Sequence, residues 1–252
     1  MVALDGKALR RACETGRSTA PPMMVAAFAV ERGLVLAAAG GARKSETEGA
    51  AEVIDLLDLT GKIVTADALH CDHNMAERLH DAEAGYVLGL KRNRCDWYDT
   101  AEAALAATPA QARRETRGHG RVERREAAVV PAPVPRTAGH KAYGRVVSQR
   151  GGEAPVTRYF LLSHPLDADE LLTITRAHWQ IGNALHWVLD VHLGEDLSRA
   201  RTDHAPANAA PVNRLARNLL QLIDTPKTPI SHRIRKCMWS DDYLVAALSH
   251  MR

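Results

Sequence analysis

The order of the apolar runs constrains this chain more than any other feature in it. Over the first 91 residues that order reads strand, strand, strand, helix, strand, helix, strand. "MVALDGKAL" opens with apolar residues and reaches Asp5. "PPMMVAAFAVERGLVLAAAGG" reads as two strands, 23–30 and 34–39, turning at 31–33. Its alternation is weak, but a buried strand can be a continuous apolar run. In "SETEGAAEVIDLLDLTG", Ser45 and Glu48 make the Ser-x-x-Glu pattern in which each side chain satisfies the other residue's backbone N–H. Val53, Ile54, Leu56 and Leu57 supply the buried face of that helix, and Gly61 a stop. "KIVTADALH" is a strand ending in Asp67, "NMAERLHDAEAG" a helix and "YVLGLK" a buried strand. Strands alternating with helices in this order predict an α/β mixed sheet with parallel crossovers.

Beyond residue 92 the character changes. A short Ala-rich helix at 100–107 precedes the basic stretch "RRETRGHGRVERR" (113–125). "PAPVPR" follows, then "AYGRVVSQRGGEAPVTRYFLLS", two strands meeting at Gly151–Gly152. This predicts an insertion of antiparallel strands beside the main sheet rather than within it. Helices at 167–190 and 207–223 come next, the second with Pro211 near its start. The expected organisation is a core first part at 1–92, an insertion at 93–157, a helical second part of the core at 158–223, and a tail at 224–252. The tail reads as irregular, with a short helix near 241–250.

Composition adds exclusions. With 46% hydrophobic and 25% charged residues, the chain is an ordinary globular protein and not a disordered one. A net charge of +3 says little about nucleic acid, so local clusters carry that argument: 113–125, and Lys91, Arg92 and Arg94. Cys13, Cys71, Cys95 and Cys237 follow no zinc spacing and read as reduced cytosolic thiols. "LHCDHN" crowds His70, Cys71, Asp72 and His73 into one turn, a poor zinc geometry. No apolar run approaches the ~20 residues of a membrane span. No signal peptide precedes the polar "DGKALRRACETGRS", so a cytoplasmic protein is expected.

If the fourth strand pairs beside the first, Asp5 and Asp67 sit together at strand ends, a natural Mg²⁺ site. Two-metal phosphoryl chemistry needs a further carboxylate. The long helix carrying "ITRAHWQIGNALHWVLDV" is the source to inspect. There His178, Gly182 and His186 are spaced by four and share a helical face. A mid-helix glycine costs about 1 kcal/mol against alanine.

"ALDGKALR", "GLVLAA", "KSETE", "LLDLTGKIVTADALHC", "YVLGLK", "GHGRVERR", "TRYFLLS", "HWQIGNALHWVLDV", "EDLSRAR" and "RLARNLLQ" stand in order along residues 2–222. In these the chain resembles the DDE transposases of bacterial insertion sequences, of the H-repeat-associated type. The resemblance implies a ribonuclease H-like mixed sheet flanked by helices, with a strand-containing insertion before the last long helices. It also implies DNA strand cleavage and transfer with two Mg²⁺ or Mn²⁺ ions, and double-stranded DNA at transposon ends as partner. A second copy of the chain is a candidate partner as well. The family's two aspartates fall on Asp5 and Asp67, as metal ligands, and its glutamate falls on Gly182. The missing carboxylate implies impaired catalysis with a weakened metal site. His178 and His186 are expected to face the site. Lys7, Lys44, Lys91, His119, Arg121 and Arg125 are the expected DNA contacts. Two further departures are Ala207, where the family tends to have glutamate, and the start of the chain four residues ahead of Asp5, where members usually carry an N-terminal domain. The rival readings are a non-catalytic DNA- or protein-binding derivative, and a repurposed metal-dependent enzyme using Asp5 and Asp67.

Overall fold

The structure, a computed structural model, describes residues 1–12, 21–41, 45–118, 121–223 and 227–251. Its strands are β1 (Val2–Ala8), β2 (Met23–Ala29), β3 (Leu34–Gly41), β4 (Ile63–Ala66), β5 (Gly85–Leu90), β6 (Ala112–Gly118), β7 (Arg121–Pro131), β8 (Ala142–Arg150) and β9 (Val156–Leu162). They form one mixed sheet in the order β3-β2-β1-β4-β5-β9-β8-β7-β6. β1, β4 and β5 run parallel, joined by helical crossovers, and the remaining described pairings are antiparallel. The helices are α1 (Glu46–Asp55), α2 (His73–Asp81), α3 (Cys95–Leu105), α4 (Ala168–His178), α5 (Trp187–Val191), α6 (Ala205–Leu222), α7 (Ile230–Trp239) and α8 (Asp241–Leu248). The expected mixed sheet flanked by helices is what the chain adopts.

By packing, the chain divides into Met1–Leu4 with Leu57–Trp179, and Asp5–Leu56 with Gln180–Arg252. In the first unit, Val87, Val146, Leu162, Leu171 and Leu172 form the core. α4 lies so close to β8 that a Cβ at Gly144 would come 2.6 Å from Leu171 Cδ2. A larger residue there would require the Leu171 side chain to shift.

In the second unit, α1 starts as expected. Ser45 Oγ accepts from Glu48 N at 3.2 Å, and the Glu48 carboxylate in turn accepts from Ser45 N at 2.7 Å. The helix stops at Leu56, not at Gly61, which instead makes the positive-φ turn into β4. Leu9, Met24 and Ala210 pack into one cluster. The Asn218 amide on α6 spans the backbone of Val35, accepting from its N at 2.9 Å and donating to its O at 2.7 Å.

Three expectations need correcting. The strands of 93–157 are antiparallel, as read, but they do not stand beside the sheet. β9 pairs with β5, and β8, β7 and β6 extend from there. The free edge of β5 has backbone groups that need partners, and β9 supplies them. The helix expected at 167–190 is not one regular helix. α4 ends at His178, a π-helical turn occupies Ile181–His186, and α5 follows. Pro211 lies inside α6, while Pro206 takes the start, where its missing N–H costs nothing. α7 was not anticipated in the tail; α8 falls where a short helix was expected.

Candidate active site

In the second unit, Asp5 sits mid-strand on β1, with its Oδ1 accepting from Gly6 N at 3.0 Å. His186 Nδ1 lies 3.5 Å from Asp5 Oδ2. Burial pushes the His186 imidazole down to about 4, with Arg214 and Lys7 adding to it, despite the nearby carboxylate. The ring is therefore neutral at pH 7 and meets Asp5 as a dipole.

Gly182 stands in the π-helical turn that ends at His186. A Cβ built on it meets nothing within 4 Å, so there is room for a side chain. π-helical turns are rare and recur at functional sites. The wider turn also revises the shared face of His178, Gly182 and His186, which assumed 3.6 residues per turn. Arg217 on α6 fixes this turn. Its guanidinium donates to Ala184 O at 3.1 Å and to Gly33 O, and lies over the Phe28 ring at 5.3 Å.

Lys7 was expected at DNA phosphate, and its surroundings argue otherwise. The side chain is 7% exposed, with Nζ 2.7 Å from Asp190 Oδ1, 2.7 Å from Asp196 Oδ1 and 3.7 Å from Glu195 Oε2. Burial alone would lower its pKa, but the Asp190 and Asp196 contacts outweigh burial and raise it. Glu195 in turn takes Arg214 Nη1 at 2.8 Å, both side chains buried. Lys7 is thus the centre of an internal charge network. Sequence reading weighed Asp190 only as a replacement ligand too far along the helix from Gly182, and passed over Glu195, Asp196 and Arg214, although "EDLSRAR" and "RLARNLLQ" contain them.

In the first unit, Asp67 follows the last residue of β4 and caps the short turn after it, Oδ1 accepting from Leu69 N at 2.9 Å. Lys91 Nζ lies 3.9 Å from its other oxygen. A cavity of about 520 Å³ opens beside it, lined by Lys91, Arg92, Tyr98, Arg158, His178 and Trp179 among others. His178 is turned inward, its Nδ1 2.8 Å from Thr65 Oγ1. Burial lowers its pKa, against the pull of Asp67.

Of the other expected DNA contacts, Lys44 and His119 lie outside the described residues. Arg121 is exposed at the start of β7, whereas Arg125, four residues on, is 7% exposed. The Cys71 thiol is buried and pushed up to about 12. Among the described residues no group of three or more His, Cys, Asp or Glu side chains is arranged to hold a metal. None of their helices is long and apolar enough to cross a membrane.

A mixed sheet whose parallel strands β1, β4 and β5 are flanked by antiparallel ones, with helices around it, is a ribonuclease H-like fold. The chain belongs to the Transposase DDE domain family, which matches residues 2–219. It is 28% identical to YncI of Escherichia coli O157:H7, over 99% of this chain and 69% of that protein. It is 26% identical to the H repeat-associated YhhI of Escherichia coli (strain K12), over 99% of this chain and 71% of that protein. Among solved structures, a piggyBac transposase synaptic complex with hairpin DNA shares the fold, at a TM-score of 0.53 and 10% identity. That match covers 100% of this chain but spans only 53% of the piggyBac chain.

Proposed function

We propose that the chain is a transposase domain whose ancestral reaction is metal-dependent cleavage and transfer of DNA strands, and that the reaction is impaired here because Gly182 stands where a third carboxylate belongs. The observation that carries this reading is the π-helical turn. It holds a glycine with open space around its Cβ, four residues before the histidine that meets Asp5. β1 and β4 pair in parallel with Ala3 opposite Thr65, and each aspartate follows its strand's member of that pair by two residues.

Asp5 and Asp67 are the residues that would hold Mg²⁺ or Mn²⁺. When bound, such ions activate the attacking oxygen and stabilise the leaving one at a phosphodiester. Two carboxylates of mixed exposure suit hard cations, but a pair is a sparse donor set. His186, neutral, can orient the Asp5 carboxylate without neutralising it. Lys7 keeps Asp190 and Asp196 occupied, so neither is free to replace the missing ligand. Double-stranded DNA is the proposed substrate, a second copy of the chain a candidate partner, and the cytoplasm the proposed location.

The test compares the protein with Gly182→Glu and, as control, Gly182→Ala. Restoring the carboxylate should enlarge the rise in melting temperature on adding Mn²⁺, because only the folded state offers the site. The alanine variant should respond like the parent. Equal Mn²⁺ shifts in all three would show that position 182 is not the vacant ligand. A second reading, a DNA-binding protein that no longer cuts, is favoured by the same glycine. It predicts DNA binding that is indifferent to Mn²⁺ and no nicking.

A further inference from the structure

We propose that Arg125 is the buried anchor of a phosphate-binding face on β7–β9 that takes the backbone of DNA, an inference that rests on the DNA-binding part of the reading above. Alternation along β7 puts Glu123, Arg125 and Ala127 on one face. That face is the one covered by α4, since Arg176 Nη1 of α4 reaches Glu123 Oε2 at 2.7 Å. Arg114, directly opposite Arg125 in the β6–β7 ladder, reaches Asp169 of α4 on the same side. Arg150 joins Glu123 at 3.4 Å. Arg158 donates to Ser148 Oγ at 3.2 Å, and Ser148 is the β8 partner of Arg125.

The two acids named here, Asp169 and Glu123, are already engaged by Arg114, Arg150 and Arg176. Arg125 is left over. Its side chain is 7% exposed, its Nε is buried without a hydrogen-bond partner, and no ion pair engages it among the described residues. A buried guanidinium with like charges beside it is costly unless an anion arrives. Burial, then the nearby Arg176 and Arg114, lower its pKa against the pull of Glu123, whose carboxylate is held by Arg150 and Arg176. The rim of this face is open to solvent, with the Arg114, Arg176 and Arg150 side chains 40%, 53% and 67% exposed. A phosphodiester fits this chemistry: it is a planar-fork acceptor for guanidinium and carries one negative charge.

Arg124 is the built-in control. It is next in sequence but on the opposite face, where it pairs with Glu115 at 3.0 Å. Binding of a labelled DNA duplex would be followed by anisotropy across a salt series for the full chain, Arg125→Met and Arg124→Gln. Arg125→Met should weaken binding several-fold or more and reduce the slope of log K against log salt by about 1, the loss of one phosphate contact. Without DNA the same variant should melt no lower than the parent, because an unpaired buried charge has been replaced by an apolar side chain. Arg124→Gln should leave the slope unchanged. Should the methionine variant fail to fold, Arg125→Lys, which keeps the charge and loses the fork, should bind several-fold more weakly than Arg124→Lys. Equal slopes and affinities for the parent and the Arg125 variants would overturn this site and leave the DNA reading standing. Absence of DNA binding by the parent would overturn both.

Discussion

Lys7 shows how far a residue's surroundings can move its role. Two residues past Asp5, an exposed lysine was expected at phosphate. Here it closes a network with Asp190, Glu195 and Asp196. Removing the cation with Lys7→Met would take the close partner from Asp190 and Asp196, while Glu195 keeps Arg214 and Asp196 the more distant Arg10. A broken buried pair costs about 3–5 kcal/mol, less here because Asp190 and Asp196 are 32% and 24% exposed. At roughly 2–4 °C per kcal/mol for a chain of this size, thermal denaturation should show a fall of several degrees. A variant that melts like the parent but loses one unit of salt slope in DNA binding would return Lys7 to the phosphate role. His140 offers a second residue-scale test. Arg136 N donates to its Nδ1 at 3.1 Å, and its Nε2 faces Ala142 O at 3.1 Å, so the neutral ring with the proton on Nε2 satisfies both. Burial pushes its pKa down to about 4, against an ordinary 6.5. As pH falls below about 6.5 the unfolded chain takes up a proton that the folded chain refuses. Stability is therefore full above pH 6.5 and declines toward pH 4, by about 3 kcal/mol at most from this group. Denaturant midpoints from pH 7 to 4.5 should fall further for the parent than for His140→Gln. An NMR titration placing His140 near 6.5 would end this account.

At the level of elements, the π-helical turn is the feature on which the candidate site depends. Gly182 sits in it with helical backbone and open space, so Gly182→Ala should add about 0.5–1 kcal/mol through helix propensity alone. Melting should rise by roughly 2–4 °C; a fall would mean that the turn needs glycine's freedom. Much of the element plan was legible beforehand. The Ser45–Glu48 pattern marked the start of α1, and the apolar runs marked β1 to β5. The π-helical turn was not legible, since it amounts to one extra residue in a helix and its periodicity change is lost over six positions. Nor was the place of β6–β9. Alternation says that a segment is a strand, not which edge it joins. The candidate residues Asp5, Asp67 and Gly182 could be singled out because they sit in continuous motifs. Lys7's partners could not, because they lie more than 180 residues away. Arg125 was named with its neighbours as a DNA contact, but its burial was not legible, since burial of a single arginine leaves no local signature.

At the scale of the whole molecule, long-range closure dominates. The second unit is assembled from 5–56 and 180–252, and its bonds join residues such as Val35 and Asn218, 183 positions apart. Long-separation contacts form late, because loop closure must come first. Ending the chain after Ser198 would remove Asn218 from Val35, Arg217 from Gly33 and Arg214 from Glu195. Hydrogen exchange at the Val35 amide should then lose its protection. Retained protection would show that β3 is stable without α6.

A sheet of nine strands invites continuation at its last one. β6 carries Arg113, Arg114, Glu115 and Arg117 within seven residues, and Arg113, Glu115 and Arg117 share one face. Any approaching strand would have to desolvate that row before its first hydrogen bond formed. Replacing the three with valine should keep the ladder to β7 while turning the margin into a template for added strands.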